Sequence, residues 1–400
     1  MKRSCGKFRG LCIAAGLLFI QGTAFGQESV LRSYERGFIR ANLSGKMDIL
    51  RDAASDAGAA EFIGAFYRFA LDFVLQNAEV LRDDPDLNNL AMAVCRGLRN
   101  TGSREDVETL WQVFSSFRDS GVRVTVLNTL ALLGQGNAVI RNSLNLYLAN
   151  QNSRYRSGMA PDYPVLLACI AALGVLGDDG SYPALFSALT AGYPEAVTRE
   201  VSEALGGIGG NYQQYLISVI RNNPPVEKLA AFNVGTRHAG FTEVERGEIA
   251  EIALETALEL YPGGWENESS AAQLRYQAAQ VLGELQWTRA TELLIRHYYR
   301  VQRDYGSGIV SRERFLETIR NLGAMGSSEA ARVLALQMGY INAQMEQNGY
   351  FDESITLEAV NALGRIGDKV AFDHLSYIGY LPYPEGIQNA AREALSRLKW

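Results

Sequence analysis

The chain has 400 residues, 47% of them hydrophobic and 20% charged, with a formal net charge of −6. That apolar share is enough for a continuous core and excludes an intrinsically disordered chain. The acidic balance excludes nucleic acid and anionic lipid as generic partners, since both require a surplus of Lys and Arg.

The first element in chain order is a targeting segment. Lys2, Arg3, Lys7 and Arg9 form a basic start, Leu11 to Ile20 an apolar run, and Ala24-Phe25-Gly26 offers small residues at the positions a signal peptidase reads. Residues 1–26 therefore read as a signal peptide cleaved before Gln27, and the mature protein as exported, either periplasmic or secreted. The apolar run is too short for a bilayer span. Cys12 stands at its beginning, not after it, unlike a lipoprotein signal. No later segment is apolar enough to cross a membrane, so the mature chain is not expected to insert stably. Residues 1–26 hold four basic side chains and no acidic one, so the mature chain falls to a net charge near −10.

Residues 27–84 read as an N-terminal helical cap, with Phe62, Phe66, Phe69, Leu71 and Phe73 dense enough for a hairpin pair. From residue 85 a repeat takes over: Leu, three residues, then Gly. Its copies begin at Leu98, Leu130, Leu173, Leu205, Leu282, Leu322 and Leu363, with an echo at Leu395. The closing positions are spaced 32, 43, 32, 77, 40, 41 and 32 residues apart. The doubled interval predicts one degenerate unit within 210–260, with its remnant at Glu227 to Val234.

Other columns agree with this register. Four residues before the leucine stand Val94, Val126, Cys169, Val201, Ala278, Thr318, Ala359 and Ala391, all small. Three residues after it stand large apolar residues such as Leu133, Leu176, Ile208 and Ile366. Offsets of −4, 0 and +3 trace one helix face. The closing glycine suits a left-handed helix end, and Gln286 departs from it. An apolar segment precedes each motif helix, so the unit is an A helix, a turn, a B helix and a glycine stop. Tyr163-Pro164, Tyr193-Pro194 and Tyr383-Pro384 each sit just before a B helix, where proline costs nothing. The tyrosines read as staples packing back on the first turn, in preference to an exposed ridge.

This pattern resembles the HEAT-like repeat family, particularly its bacterial branch related to the phycobilin lyase repeats. The signature is clearest at Leu173 to Asp178 and Leu363 to Asp368, and the resemblance covers roughly residues 85–400. It implies an all-α fold, an α-solenoid of stacked antiparallel helical hairpins. It says little about activity, because the motif residues are structural.

No catalytic constellation can be drawn from the sequence. His238, His297 and His374 fall in different repeats and none is followed by Glu, so no metal site is expected. Cys95 and Cys169 occupy core positions two units apart, too far for a disulfide, and read as buried thiols. No cofactor is implied. Two insertions draw notice as loops: 151–163, with Arg154, Tyr155 and Arg156, and 300–312, with Arg300, Arg303 and Tyr305. Arg and Tyr are residue types that interfaces favour.

The reading is an exported, non-catalytic scaffold or adaptor that binds protein partners at this loop edge and not on the A-helix face. The B-helix face, with Arg199, Tyr276 and Gln280, is the second place to look. The alternative is an accessory enzyme or chromophore-handling protein of the lyase-like branch.

Overall fold

The computed structural model describes residues 30–260 and 270–400, so residues 1–26, read from the sequence as a signal peptide, lie outside the described residues. These residues are all-α, without a strand among them. They fall into two compact units that divide after Gly210.

The first unit contains α1 (30–40), α2 (Leu43–Ser55), α3 (Ile63–Leu81), α4 (Pro85–Thr101), α5 (Val107–Ser116), α6 (Ser120–Leu133), α7 (Ala138–Arg156), α8 (Tyr163–Leu176), α9 (Tyr182–Leu189) and α10 (Glu195–Gly207). From α3 onward the odd helices are A helices, and each folds back on the even B helix that follows. The B helices α4, α6, α8 and α10 lie side by side in one layer, as do α3, α5, α7 and α9 in the other. The aromatic-rich start is a cluster, with Phe38 of α1 meeting the rings of Phe66, Phe69 and Phe73 edge-on. Because α3 is the A-helix partner of α4, the first motif-bearing hairpin begins at Ile63.

The second unit contains α11 (Tyr212–Asn222), α12 (Pro225–Arg237), α13 (Glu243–Leu260), α14 (Ser270–Glu284), α15 (Thr291–Gly306), α16 (Arg312–Ala324), α17 (Ser328–Asn348), α18 (Glu353–Ile366), α19 (Phe372–Tyr377) and α20 (Glu385–Ser396). It repeats the arrangement, with α12, α14, α16, α18 and α20 as the B layer. The doubled interval holds the α11·α12 hairpin, and Glu227 to Val234 lies in α12. The degenerate repeat is thus a complete hairpin that has lost the glycine signature.

The motif residues make the contacts between successive repeats. Leu98, Leu130, Leu173, Leu205, Leu282, Leu322 and Leu363 are all buried. The glycine after the leucine lets adjacent B helices touch: a Cβ on Gly323 would lie 2.6 Å from the Cβ of Ala362, and one on Gly364 would lie 2.9 Å from that of Ala394. The aspartate of the signature caps the next turn. Asp178 accepts from the Gly180 amide and pairs with Arg141 at 2.7 Å, and Asp368 accepts from the Val370 amide and from Ser328. Closing turns also bond to each other across the 32-residue intervals, the Gly209 amide to the Gly177 carbonyl at 3.1 Å and Lys399 to Gly367 at 2.8 Å.

Two details differ from the sequence reading. The closing glycine is left-handed at Gly177, Gly326 and Gly367, with φ of 66°, 64° and 70°, whereas Gly102 and Gly134 have φ of −78° and −84°. Gly102 answers to space: a Cβ there would lie 2.6 Å from the Leu98 carbonyl and 2.9 Å from Leu133 Cδ1. Gln286, in contrast, takes the left-handed conformation without being glycine, at φ 51°.

The Tyr383-Pro384 step is a lock. Asn152 of α7 donates from Nδ2 to the Ala184 carbonyl, and Asn342 of α17 to the His374 carbonyl, each tying a long A helix to the next. The Tyr383 hydroxyl donates to Asn342 Oδ1 at 3.1 Å, and Tyr193 is buried in the corresponding hairpin. Tyr193 and Tyr383 are therefore packed inward and form no exposed ridge, Tyr383 bonding to the A helix α17 and not to the first turn of its own B helix, whereas Tyr163 is half-buried.

Candidate functional site

The A helices α15 and α17 run to 16 and 21 residues, whereas their partners α16 and α18 have 13 and 14. Between them lies a groove of ≈ 810 Å³. Tyr298, Tyr305 and Phe315 form its base, with the Tyr305 and Phe315 rings stacked at 5.0 Å. Tyr299, Leu336, Tyr340 and Tyr350 stand along it with 48–66% of their surface exposed. Isolated apolar side chains on a surface are ordinary, but a contiguous set marks a contact area. A glutamine network sets the shape: Tyr298 donates to Gln337 Oε1 at 3.0 Å, Gln302 donates to the same oxygen, and Gln344 donates to the Tyr340 hydroxyl at 3.2 Å. Burial pushes the Tyr298 phenol well above its ordinary value, so it remains a neutral donor.

Positive charge gathers on the other side of α15. Arg296, Arg300 and Arg303 line a smaller hollow with Tyr299 and Leu258, so Arg303 and Tyr299 belong to both. Arg303 pairs with buried Asp304 at 3.1 Å. Beneath lie Arg275, 4% exposed, and fully buried His297. The Tyr276 ring carries Arg314 at 4.7 Å and Arg275 at 5.1 Å and meets the His297 ring at 5.3 Å. Among the described residues no carboxylate forms an ion pair with Arg275, Arg296 or Arg300. Neither ring nitrogen of His297 has a hydrogen-bond partner. Burial first, then the charges of Arg275, Arg300 and Arg314, hold its pKa well below the usual histidine range, so the ring is neutral at pH 7.

The residues singled out from sequence are placed differently from their expected setting. Arg154, Tyr155 and Arg156 are not in a loop: they form the last turn of α7. Arg300, Arg303 and Tyr305 likewise belong to α15. Both insertions lengthen helices because nothing breaks them before Ser157-Gly158 and Gly306-Ser307-Gly308, and polar residues on an exposed face propagate a helix well. Tyr155 stacks on Tyr193 at 4.1 Å, and Arg156 donates to the Ser187 carbonyl at 2.8 Å and to the hydroxyls of Ser187 and Thr190, joining α7 to α9. Arg154 alone of that trio is exposed without a described partner. Arg303 and Tyr305 do meet, in the α15–α17 groove, and that groove lies between A helices. On the B-helix face Tyr276 is buried and offers no contact surface.

Sequence reasoning missed Tyr299, Leu336, Tyr340 and Tyr350. The available signal was phase. Leu334, Met338, Ile341 and Met345 form the buried stripe of α17, and Leu336 and Tyr340, four residues apart, lie off it.

Residues 274–298, which run from α14 into α15, match the family described as PBS lyase HEAT-like repeat. This stretch is a HEAT-like repeat. It contains the Leu282-Gly283 pair and also Arg275, Tyr276 and His297. No curated protein matches the chain. Among the described residues no helix is long and apolar enough to cross a membrane, and no three His, Cys, Asp or Glu side chains come together to hold a metal ion.

Proposed function

We propose that the protein is an exported, non-catalytic scaffold that captures an extended segment of a partner protein along the α15–α17 groove. The observation that carries this reading is the exposed row Tyr299, Leu336, Tyr340 and Tyr350, with Arg303 at its margin. Aromatic grooves take extended segments, often proline-rich, whose flat side chains lie against the rings. Arg296, Arg300 and Arg303 on the adjoining side suit acidic residues flanking that segment, because guanidinium forks pair with carboxylates. Repeat scaffolds offer such surfaces preformed, so binding need not await folding.

The lyase-like alternative draws on the description of the matched family. Against it, Cys95 and Cys169 are fully buried, and burial pushes both thiols up to about 12. Neither is a thiolate that could attach a chromophore.

The test is a photo-crosslinking residue at position 340, in cells that make the protein naturally. The expected product is one partner, crosslinked within one contiguous stretch that carries aromatic or proline residues beside acidic ones. Arg300→Ala with Arg303→Ala should weaken that partner's binding by about tenfold or more, the effect of losing one charge-assisted contact. Leu336→Asp should abolish it. Unchanged binding in both variants, at an unchanged melting temperature, refutes the groove. N-terminal mass spectrometry of the natural protein tests export separately, and a retained Met1 refutes it.

A further inference from the structure

The first unit holds a second pocket, independent of the groove just described. It lies where α5 faces α7, over the start of α6, and has a volume of ≈ 510 Å³. This is within the range of small-molecule sites. Trp111 and Phe114 stack at 4.8 Å, and Tyr147 meets Phe114 edge-on at 5.2 Å. Arg118 and Arg123 supply the charge, and Ser115, Ser143 and Asn150 complete the polar lining. No lining residue is Asp or Glu.

Arg123 is the informative residue. Its guanidinium lies over the Phe114 ring at 4.3 Å and near the Tyr147 ring at 5.2 Å, and its Nε is buried without a hydrogen-bond partner. Stacking occupies the faces of the guanidinium, and of its in-plane N–H donors one engages the Tyr147 hydroxyl while the Nε–H stays unpaired. The carboxylates that cap α6 and α8 are already engaged: Asp119 accepts from the Val122 amide, and Asp162 from Ser120 and the Val165 amide. Arg118 has no ion pair among the described residues. A half-buried arginine held in a fixed plane, with an unpaired donor and aromatic walls, is the receiving half of a carboxylate fork.

We propose that this pocket binds a carboxylate that carries a flat apolar group. The carboxylate pairs with Arg123 and Arg118, and the apolar group lies against Trp111 and Tyr147. A free aromatic acid and the C-terminal residue of a peptide share this chemistry.

The probe is N-acetyl-L-phenylalanine, titrated into the full chain by calorimetry and by protein fluorescence, with Trp111→Phe identifying the part of the signal that comes from the pocket. The expected result is saturable binding, at least about tenfold weaker for the corresponding amide and for Arg123→Met, at unchanged melting temperature. Because Arg123 is packed, Arg118→Ala provides a second variant at an exposed position, and it should weaken binding in the same direction. A peptide ending in a free phenylalanine, compared with its C-terminal amide, separates the two sources: a peptide that outbinds the acetylated amino acid identifies a chain terminus, and equal affinities identify a small acid. Equal binding of acid and amide, tighter binding of inorganic phosphate, or no saturation below about 10 mM overturns the proposal.

Discussion

Replacing Gly323 by Ala reverses a familiar rule. In an ordinary helix interior this change stabilises by about 1 kcal/mol, because alanine loses less backbone entropy. Gly323 lies in α16 where it faces α18, and the added Cβ would sit 2.6 Å from Ala362 Cβ and 3.1 Å from Ala362 Cα. The obstacle is close to backbone, so relief requires the two helices to separate. Overpacking of this kind costs about 1–3 kcal/mol, which cancels or exceeds the propensity gain and leaves a net loss of up to ~2 kcal/mol. Gly386, in the first turn of α20, has nothing within 4 Å of its added Cβ, so Gly386→Ala should stabilise by about 0.5 kcal/mol. The assay is urea unfolding followed by circular dichroism, with the variants compared at equal m-value. Combining Gly323→Ala with Ala362→Gly returns the lost space and should show a coupling of about 1 kcal/mol or more. If Gly323→Ala stabilises as Gly386→Ala does, or if the pair is additive, the α16–α18 register is wrong.

Tyr383→Phe leaves Asn342 Oδ1 without its donor inside the α17–α20 lock, so unfolding measurements should show a loss of about 1–3 kcal/mol, and an effect below 0.5 would mean the lock is idle. His297 has its pKa lowered by burial and by three arginines, so the unfolded chain binds its proton first, and stability should fall as pH drops below about 6.5, by up to ~1.4 kcal/mol per pH unit from this residue. His297→Phe should flatten that difference; parallel pH profiles for the two proteins refute it. Gln286→Gly should raise stability by about 0.5–1 kcal/mol, since left-handed strain of about 1–2 kcal/mol is released against the extra entropy of glycine, and a lower urea midpoint contradicts this.

The repeat was legible because its determinants are local and recur. The leucine column, the small residues four before it and the aspartate after the glycine each serve one contact that every hairpin must make, and periodicity reveals such contacts. The α11·α12 hairpin was visible only as a doubled interval, since Pro225–Arg237 packs its helix with a different residue set. The groove was less legible. Tyr340 and Tyr350 line the same groove as Tyr299 from 41 and 51 residues further along the sequence, and nothing in the spacing announces which off-stripe aromatics converge. The arginines drew notice by composition, yet composition placed Arg300 and Arg303 in a loop when the chain keeps winding to Gly306.

That continued winding is what links the irregular repeat lengths to binding. The 32-residue interval between Gly177 and Gly209 encloses α9, an A helix of 8 residues, and the closing turns on either side bond directly. The 40- and 41-residue intervals spend their added length on α15 and α17. A B helix cannot lengthen freely, because its leucine and glycine must meet the next B helix in register, whereas an A helix can project past its partner. Its projecting end has one side without a B helix to cover it, and apolar residues there stay exposed, as Tyr350 does just past the end of α17. In the first unit, Leu146 and Tyr147 bring the middle of α7, another long A helix of 19 residues, to the pocket beside α5. Variation in repeat length thus gives a scaffold with a fixed core room for recognition surfaces, and each of the two pockets has a lengthened A helix in its wall.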